Sequence, residues 1–367
     1  MTGQCYTDAR RKLGESQVSS DNHSFAAPKA RIASMDQIRG YAILGMLLVD
    51  YFEAFKVTTQ QLHHHKDYMT YADTIAPLFL FVVGMGLRLS MKRRVEQEGV
   101  GRARRELLKR YVTLVLIAFT LYTGYLWDAL MNIGLAGLLA IWVVDRKPGV
   151  RIAVALALVA AYQAIFSLTT YGGWLLGTVK YTDETMPLIW KLIPFGPELV
   201  DCNINGGPIG HWSWLLMLIC GTIAYDIMAT RDTRKIVLGC VIWGAVLSAA
   251  GWALHCPWPG VKEAWPFSKY YMTAPYALWA SGLCFFTMLA FYLVCDMGKL
   301  RIPHLTVLGM NPLVIYILQW CIMESTHRFI PEHATNWFGI LGGFLVFYGM
   351  CYGAAYALYR KNIFVKL

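Results

Sequence analysis

Three consecutive histidines, His63, His64 and His65, stand between two long apolar runs and are followed by Asp73 at the start of the second run. A neutral imidazole takes up a proton near neutral pH, and a carboxylate beside it fixes the tautomer, so this pairing is a general-base arrangement. Adjacent side chains cannot all point one way, and at most one or two of the three face any site. The alternatives are a solvated loop and a metal site. Zinc requires spaced ligands, which consecutive histidines supply poorly, and the nine cysteines form no CxxC pattern. No metal is expected.

A second set of polar groups lies inside apolar sequence. In "RIASMDQIRGYAILGMLLVDYFEAF", Asp36, Arg39, Asp50 and Glu53 fall on one stripe of a helix. Asp36 and Asp50 are then about 21 Å apart along the axis. Asp36 and Arg39 suit an i,i+3 pair near the helix start. A carboxylate as deep as Asp50 must face a cavity or a partner. Asp73 either caps the next helix or orients a histidine. Pro77 is placed in the first turn, where a missing N–H costs nothing. Asn311, between Gly309-Met310 and Pro312, sits where the helix is weakened and can bond between helices or to an acyl carbonyl.

The elements that position these groups are membrane spans. Of 367 residues, 56% are hydrophobic and only 15% charged, with mean hydropathy +0.42. Apolar runs cover roughly 37–55, 71–91, 111–127, 129–145, 152–169, 211–229, 236–254, 275–296, 305–324 and 338–359, each about long enough to cross ~30 Å of hydrocarbon. Only a helical bundle satisfies the backbone there. The expectation is an all-α polytopic bundle of about ten transmembrane helices (35–367), preceded by a polar, poorly ordered tail (1–34).

The net charge of +10 does not point to nucleic acid, because alternate loops and the two ends hold 26 of the 33 Lys and Arg. By the positive-inside rule those segments and both termini are cytoplasmic, which puts the histidine loop outside. Two long outer segments, 170–210 and 255–273, are rich in Gly, Pro and aromatic residues and read as a lid or acceptor platform. They contain Cys202 and Cys256, which form a disulfide pair if the outer compartment is oxidising.

The stretches "RIASMDQIRG", "YADTIAPLFLFVVGMGLRLSM", "DALMNIGLAGLLA", "NGGPIGHWSWLLMLICGTIAYD", "PFSKYYMTAPYALWASGLCFF" and "LGMNPLVIYILQW", with the His-containing loop, occur in an order that resembles the heparan-α-glucosaminide N-acetyltransferase family of transmembrane acyltransferases. The resemblance covers about 31–367. It implies transfer of an acetyl or similar acyl group from cytosolic acyl-CoA to a sugar or glycan acceptor on the far side of the membrane. It also implies a catalytic His in the loop before the AD-containing helix. Ungapped counting from Asp73 gives His63, and the HxxY match gives His65, so the register stays open among the three. The sequence departs from the family at Asp50, where the family has Asn, and at "INGG" (204–207), where it has an acidic stretch.

The resulting assignment gives a His base oriented by Asp73, with Asp50 and Asn311 supporting the acyl-transfer site. Arg31, Arg39, Arg88 and Lys92 are candidates for the CoA phosphates. The expected partners are acetyl-CoA or another acyl-CoA, a glycan acceptor, membrane lipid and at most a second copy as a homodimer, in a bacterial inner membrane. The competing class is an ion- or proton-coupled transporter using Asp50 and Asp73; it calls for matching halves, and no internal symmetry is visible.

Overall fold

A computed structural model describes residues 32–121, 126–180, 204–256, 265–330 and 336–364, and regular structure among them is helical throughout. Helix α1 (Ala33–Glu53) leads through a short 3-10 turn (Gln60–Leu62) to α2 (Ala72–Glu98) and α3 (Val100–Leu121). Then come α4 (Ala129–Ala140), α5 (Pro148–Leu168) and the short α6 (Thr170–Leu175). A 3-10 turn (Gly207–Ile209) opens α7 (His211–Met228), followed by α8 (Thr233–His255). Helix α9 (Ala274–Phe291) runs on into a π-helical turn (Tyr292–Met297). Helices α10 (Pro303–Met310), α11 (Pro312–His327) and α12 (Trp337–Arg360) complete the chain.

Each apolar run of the sequence coincides with one helix, except the ninth. There α10 and α11 meet at 90°. Pro312 pushes the preceding residue out of the helical region, and Asn311 accordingly has φ −129° and ψ 57°. Helices α2, α5, α7, α8, the α9 rod and α12 are long and apolar enough to cross a membrane, and the bent pair makes a seventh candidate. Helices α1 and α3 carry more charge, with Asp36, Arg39, Asp50 and Glu53 on the first and Arg102, Arg104, Arg105, Glu106, Lys109 and Arg110 on the second. This is a multi-pass membrane protein.

Helix α7 is the centre, with 78% of its apolar window buried, whereas α12 at 28% is peripheral and turns Leu341, Leu345 and Val346 outward. Small residues let backbones touch where the core is tightest. A Cβ on Gly84 would collide with the Leu218 carbonyl, and one on Gly221 with the Phe81 carbonyl, so α2 and α7 cross by reciprocal glycine contacts. Gly40 meets the Leu305 backbone in the same way and fixes α1 on α10. The start of α1 is capped from another element: Ala33 N–H and Ser34 N–H both donate to the Asp296 carboxylate, at 3.0 and 3.1 Å.

Candidate active site

The loop from α1 to α2 and the first turn of α2 form one hydrogen-bonded unit. Asp73 is fully buried. Its Oδ2 accepts from the Thr70 N–H at 3.0 Å and the Thr70 hydroxyl at 3.2 Å, as the acid of a capping box does. Its Oδ1 lies 2.6 Å from His64 Nδ1. The two roles foreseen for Asp73, cap and histidine partner, are thus divided between its two oxygens.

Pro77 is the sixth residue of α2 rather than a first-turn residue, because the helix begins at Ala72. Its missing N–H leaves the Asp73 carbonyl without an i+4 donor. The buried Tyr276 hydroxyl on α9 supplies one at 2.8 Å.

The three histidines have three different environments. His63 turns away, its Nε2 2.7 Å from the Thr58 hydroxyl and its carbonyl accepting from the Thr70 hydroxyl at 2.8 Å, and so braces the loop. His65 stacks on Tyr68 with ring centroids 4.3 Å apart. His64 is the one joined to Asp73. With Nδ1–H directed at that carboxylate, Nε2 is the acceptor, and Lys269 Nζ donates to it at 2.9 Å. Glu53 approaches the same ring, Oε2 to Nε2 3.8 Å, and takes the His64 N–H at 3.4 Å.

His64 opens on a cavity of about 240 Å³. Its walls come from six parts of the chain that converge at one end of the bundle. Asp50 enters from α1 and accepts from Gln319 Nε2 at 2.6 Å. Asp128 enters ahead of α4 and accepts from the Tyr316 hydroxyl at 2.8 Å. Helix α11 therefore holds two carboxylates from residues three apart. The floor includes Asn205, whose amide donates to the Trp127 carbonyl at 3.1 Å. Asn205, Gly206 and Gly207 have positive φ of 54°, 80° and 64°, a path that suits the two glycines of "INGG". The 265–273 segment closes the side: Tyr270 carbonyl accepts from Gly206 N–H at 3.0 Å, and Lys66 lies 4.9 Å from the Tyr270 ring centre.

Of the residues read from sequence, His64, His65, Asp73 and Asp50 meet at this cavity. Asn311 is placed elsewhere, at the α10–α11 break, where its amide donates to the Ile363 carbonyl at 2.9 Å. Arg88 and Lys92 lie about 22 and 28 Å along α2 from Asp73. Both bind Asp226, at 3.0 and 2.9 Å, together with the buried Arg151. The Arg39 guanidinium lies against Gly86. Arg31 and Cys202 fall outside the described residues, and Cys256 closes α8. Sequence reasoning did not single out Lys269, Asp128, Tyr316 or Gln319. A lysine inside the aromatic outer segment, on the side that carries few cations, was the available signal for the first. The other three depend on which face of α4 or α11 turns inward. Among the described residues no group of three or more His, Cys, Asp or Glu is disposed to hold a metal ion.

No curated protein matches the chain. Residues 31–196 match the family described as heparan-alpha-glucosaminide N-acetyltransferase, catalytic. That segment contains α1, the histidine loop, Asp73, Asp128 and the Arg88 cluster partners Lys92 and Arg151. Over that segment, somewhat under half of the chain, the protein is similar to the heparan-α-glucosaminide N-acetyltransferase family.

Proposed function

We propose that this protein is a membrane-embedded acetyltransferase that moves an acetyl, or similar acyl, group from acyl-CoA to an amine or hydroxyl of a sugar or glycan acceptor. The observation that carries the reading is the His64–Asp73 pair at the cavity wall, 2.6 Å apart with Asp73 fully buried. It is the geometry a general base needs.

In this reading the acceptor N–H or O–H displaces Lys269 from His64 Nε2. His64 takes the proton as the acceptor atom attacks the thioester carbonyl, and Asp73 holds the imidazolium that forms. Lys269, released from the ring, meets the developing oxyanion. The tetrahedral intermediate collapses with loss of the C–S bond, and His64 returns the proton to the CoA thiolate. The products are the acylated acceptor and free CoA. Four carboxyl groups, Asp50, Glu53, Asp73 and Asp128, border the cavity against Lys269 and would disfavour an anionic acceptor.

The donor is large and anionic, so its nucleotide belongs at the arginine-rich end, near Arg39, Arg88 and Lys92. Three cations on Asp226 leave a surplus of two positive charges there. Membrane sidedness follows the charge bias, with donor on the cytoplasmic side and acceptor outside, in a bacterial inner membrane.

The test is transfer of a radiolabelled acetyl group from acetyl-CoA to glucosamine by purified protein. His64→Ala should lose roughly 10²–10⁴-fold in rate and still bind CoA, while Arg39→Ala should raise the KM for acetyl-CoA more than that for the acceptor. Near-parental transfer by His64→Ala would overturn the base assignment, and the transporter reading through Asp50 and Asp73 would then lead.

A further inference from the structure

A second cavity, about 270 Å³, lies between α2 and α3, where Ser90 and Arg94 face Glu106, Lys109, Arg110 and Thr113. Two residues along a helix is a rotation of about 200°, so Ser90 and Arg94 lie on the face of α2 opposite the Arg88 and Lys92 pair. This cavity is not part of the Asp226 cluster. It holds three cations and one acid. Glu106 takes Lys109 Nζ at 2.9 Å, which leaves a surplus of two positive charges.

Arg110 supplies the observation that calls for a ligand. Its Nε is buried and has no hydrogen-bond partner among the described residues. A buried guanidinium N–H without an acceptor is costly, and a group that accepts from it would relieve that cost. Two guanidinium forks with two hydroxyls, Ser90 and Thr113, form a donor set suited to a phosphate ester.

The position favours a lipid as the source of that phosphate. The cavity sits where α2 nears its end and α3 turns back into the apolar zone. On α3, Val112 and Leu116, three and seven residues beyond Lys109 and so on its side of the helix, are 40 and 59% exposed. That spacing makes an apolar strip leading away from the Lys109 edge of the basic cavity. A headgroup phosphate in the cavity would place an acyl chain along it, and basic pockets between helices at this level are where anionic headgroups bind. We infer that Ser90, Arg94, Lys109, Arg110 and Thr113 bind the phosphate of an anionic membrane phospholipid. The inference does not depend on the acyl-transfer reading.

The full-length protein in detergent would be titrated with phosphatidylglycerol, phosphatidylcholine, inorganic phosphate and CoA, and followed by native mass spectrometry and Tm. Phosphatidylglycerol should remain bound and raise Tm, and phosphatidylcholine should do neither. Arg94→Ala and Arg110→Ala should each weaken phosphatidylglycerol about tenfold, the loss of one charge-assisted contact. If either variant fails to fold, Ser90→Ala and Thr113→Val test the same site and should weaken binding by smaller factors. Equal retention of the two lipids, or unchanged affinity in the folded variants, overturns the inference. So does displacement of phosphatidylglycerol by phosphate or CoA at matching concentration, which would give the site to a soluble phosphate ester.

Discussion

The hydroxyl of Tyr276 donates to the main-chain carbonyl of Asp73 at 2.8 Å. That carbonyl is the one Pro77 deprives of its helical donor. A residue on α9 thus completes the first turns of α2, and those turns carry the carboxylate that holds His64. The contact links the packing of two spans to the aim of one side chain.

Tyr276→Phe should therefore lower stability by about 1–3 kcal/mol, the cost of a buried acceptor left unpaired. Pro77→Ala restores an N–H at the right place. In that background the same Tyr276→Phe change should cost less than half as much, a coupling that a double-mutant cycle of thermal midpoints will read. Equal costs in both backgrounds would show that the two groups do not share the carbonyl.

Asp73→Asn keeps the shape and one carbonyl oxygen for the Thr70 N–H, but it presents N–H rather than a carboxylate to His64 or gives up that cap. The ring would then turn over its tautomer and direct a protonated Nε2 at the cavity. Acetyl transfer should fall about 10²–10⁴-fold with little change in Tm, measured on the same preparations. A large loss of stability with unimpaired turnover per folded molecule would mean that Asp73 is a cap alone.

His63 and His65 should separate from His64 in a different way. His63→Ala removes the ring contact to Thr58 at 2.7 Å and should loosen the loop, lowering Tm by a few degrees and the rate less than tenfold. His65→Ala unstacks Tyr68 and should change acceptor KM more than kcat, because His65 lines the cavity without reaching Asp73. If either variant is as inactive as His64→Ala, the base has been assigned to the wrong ring.

How far the sequence could be read follows from the range of each cue. The spans were legible because ~20 apolar residues have one economical solution in a membrane, and every helix except the short α6 follows one of them. The break at Asn311 was visible as Gly309 and Pro312, although its consequence, two short helices at 90°, was not. Asp50 and Asp73 were legible because a carboxylate in an apolar run has to be used. Which of His63, His64 and His65 meets Asp73 was not, since it depends on a loop whose course is set by Thr58, Thr70 and Glu53 together. The pairing of Arg88 and Lys92 with Asp226 was not legible, because that residue, over 130 residues away, gives no local sign that it takes both.

Asp226 offers a direct test of that pairing. It accepts Arg88 at 3.0 Å and Lys92 at 2.9 Å and pairs with Arg151, which is fully buried. Asp226→Ala would leave the Arg151 guanidinium buried without its counter-ion. A loss of about 3–5 kcal/mol is expected, and Arg151→Met in the same chain should recover much of it. Failure of the second change to recover stability would place the cost in α7 packing instead.

Lys269 closes the cavity from the far segment and touches the atom expected to take the proton. Its Nζ is 2.9 Å from His64 Nε2, so an acceptor can use that nitrogen only when the ammonium moves. The proposed mechanism gives it two roles: it holds the ring until the acceptor arrives, and during transfer it meets the oxyanion. Lys269→Ala should leave Nε2 open and CoA binding intact, yet lower kcat about 10²-fold, as removal of one oxyanion donor does. Lys269→Arg keeps the charge but not the reach, and should recover part of that loss. The comparison to make is kcat against acceptor KM in both variants. A rise in KM with unchanged kcat would make Lys269 a binding residue for the acceptor, and a faster enzyme on its removal would make it a plug.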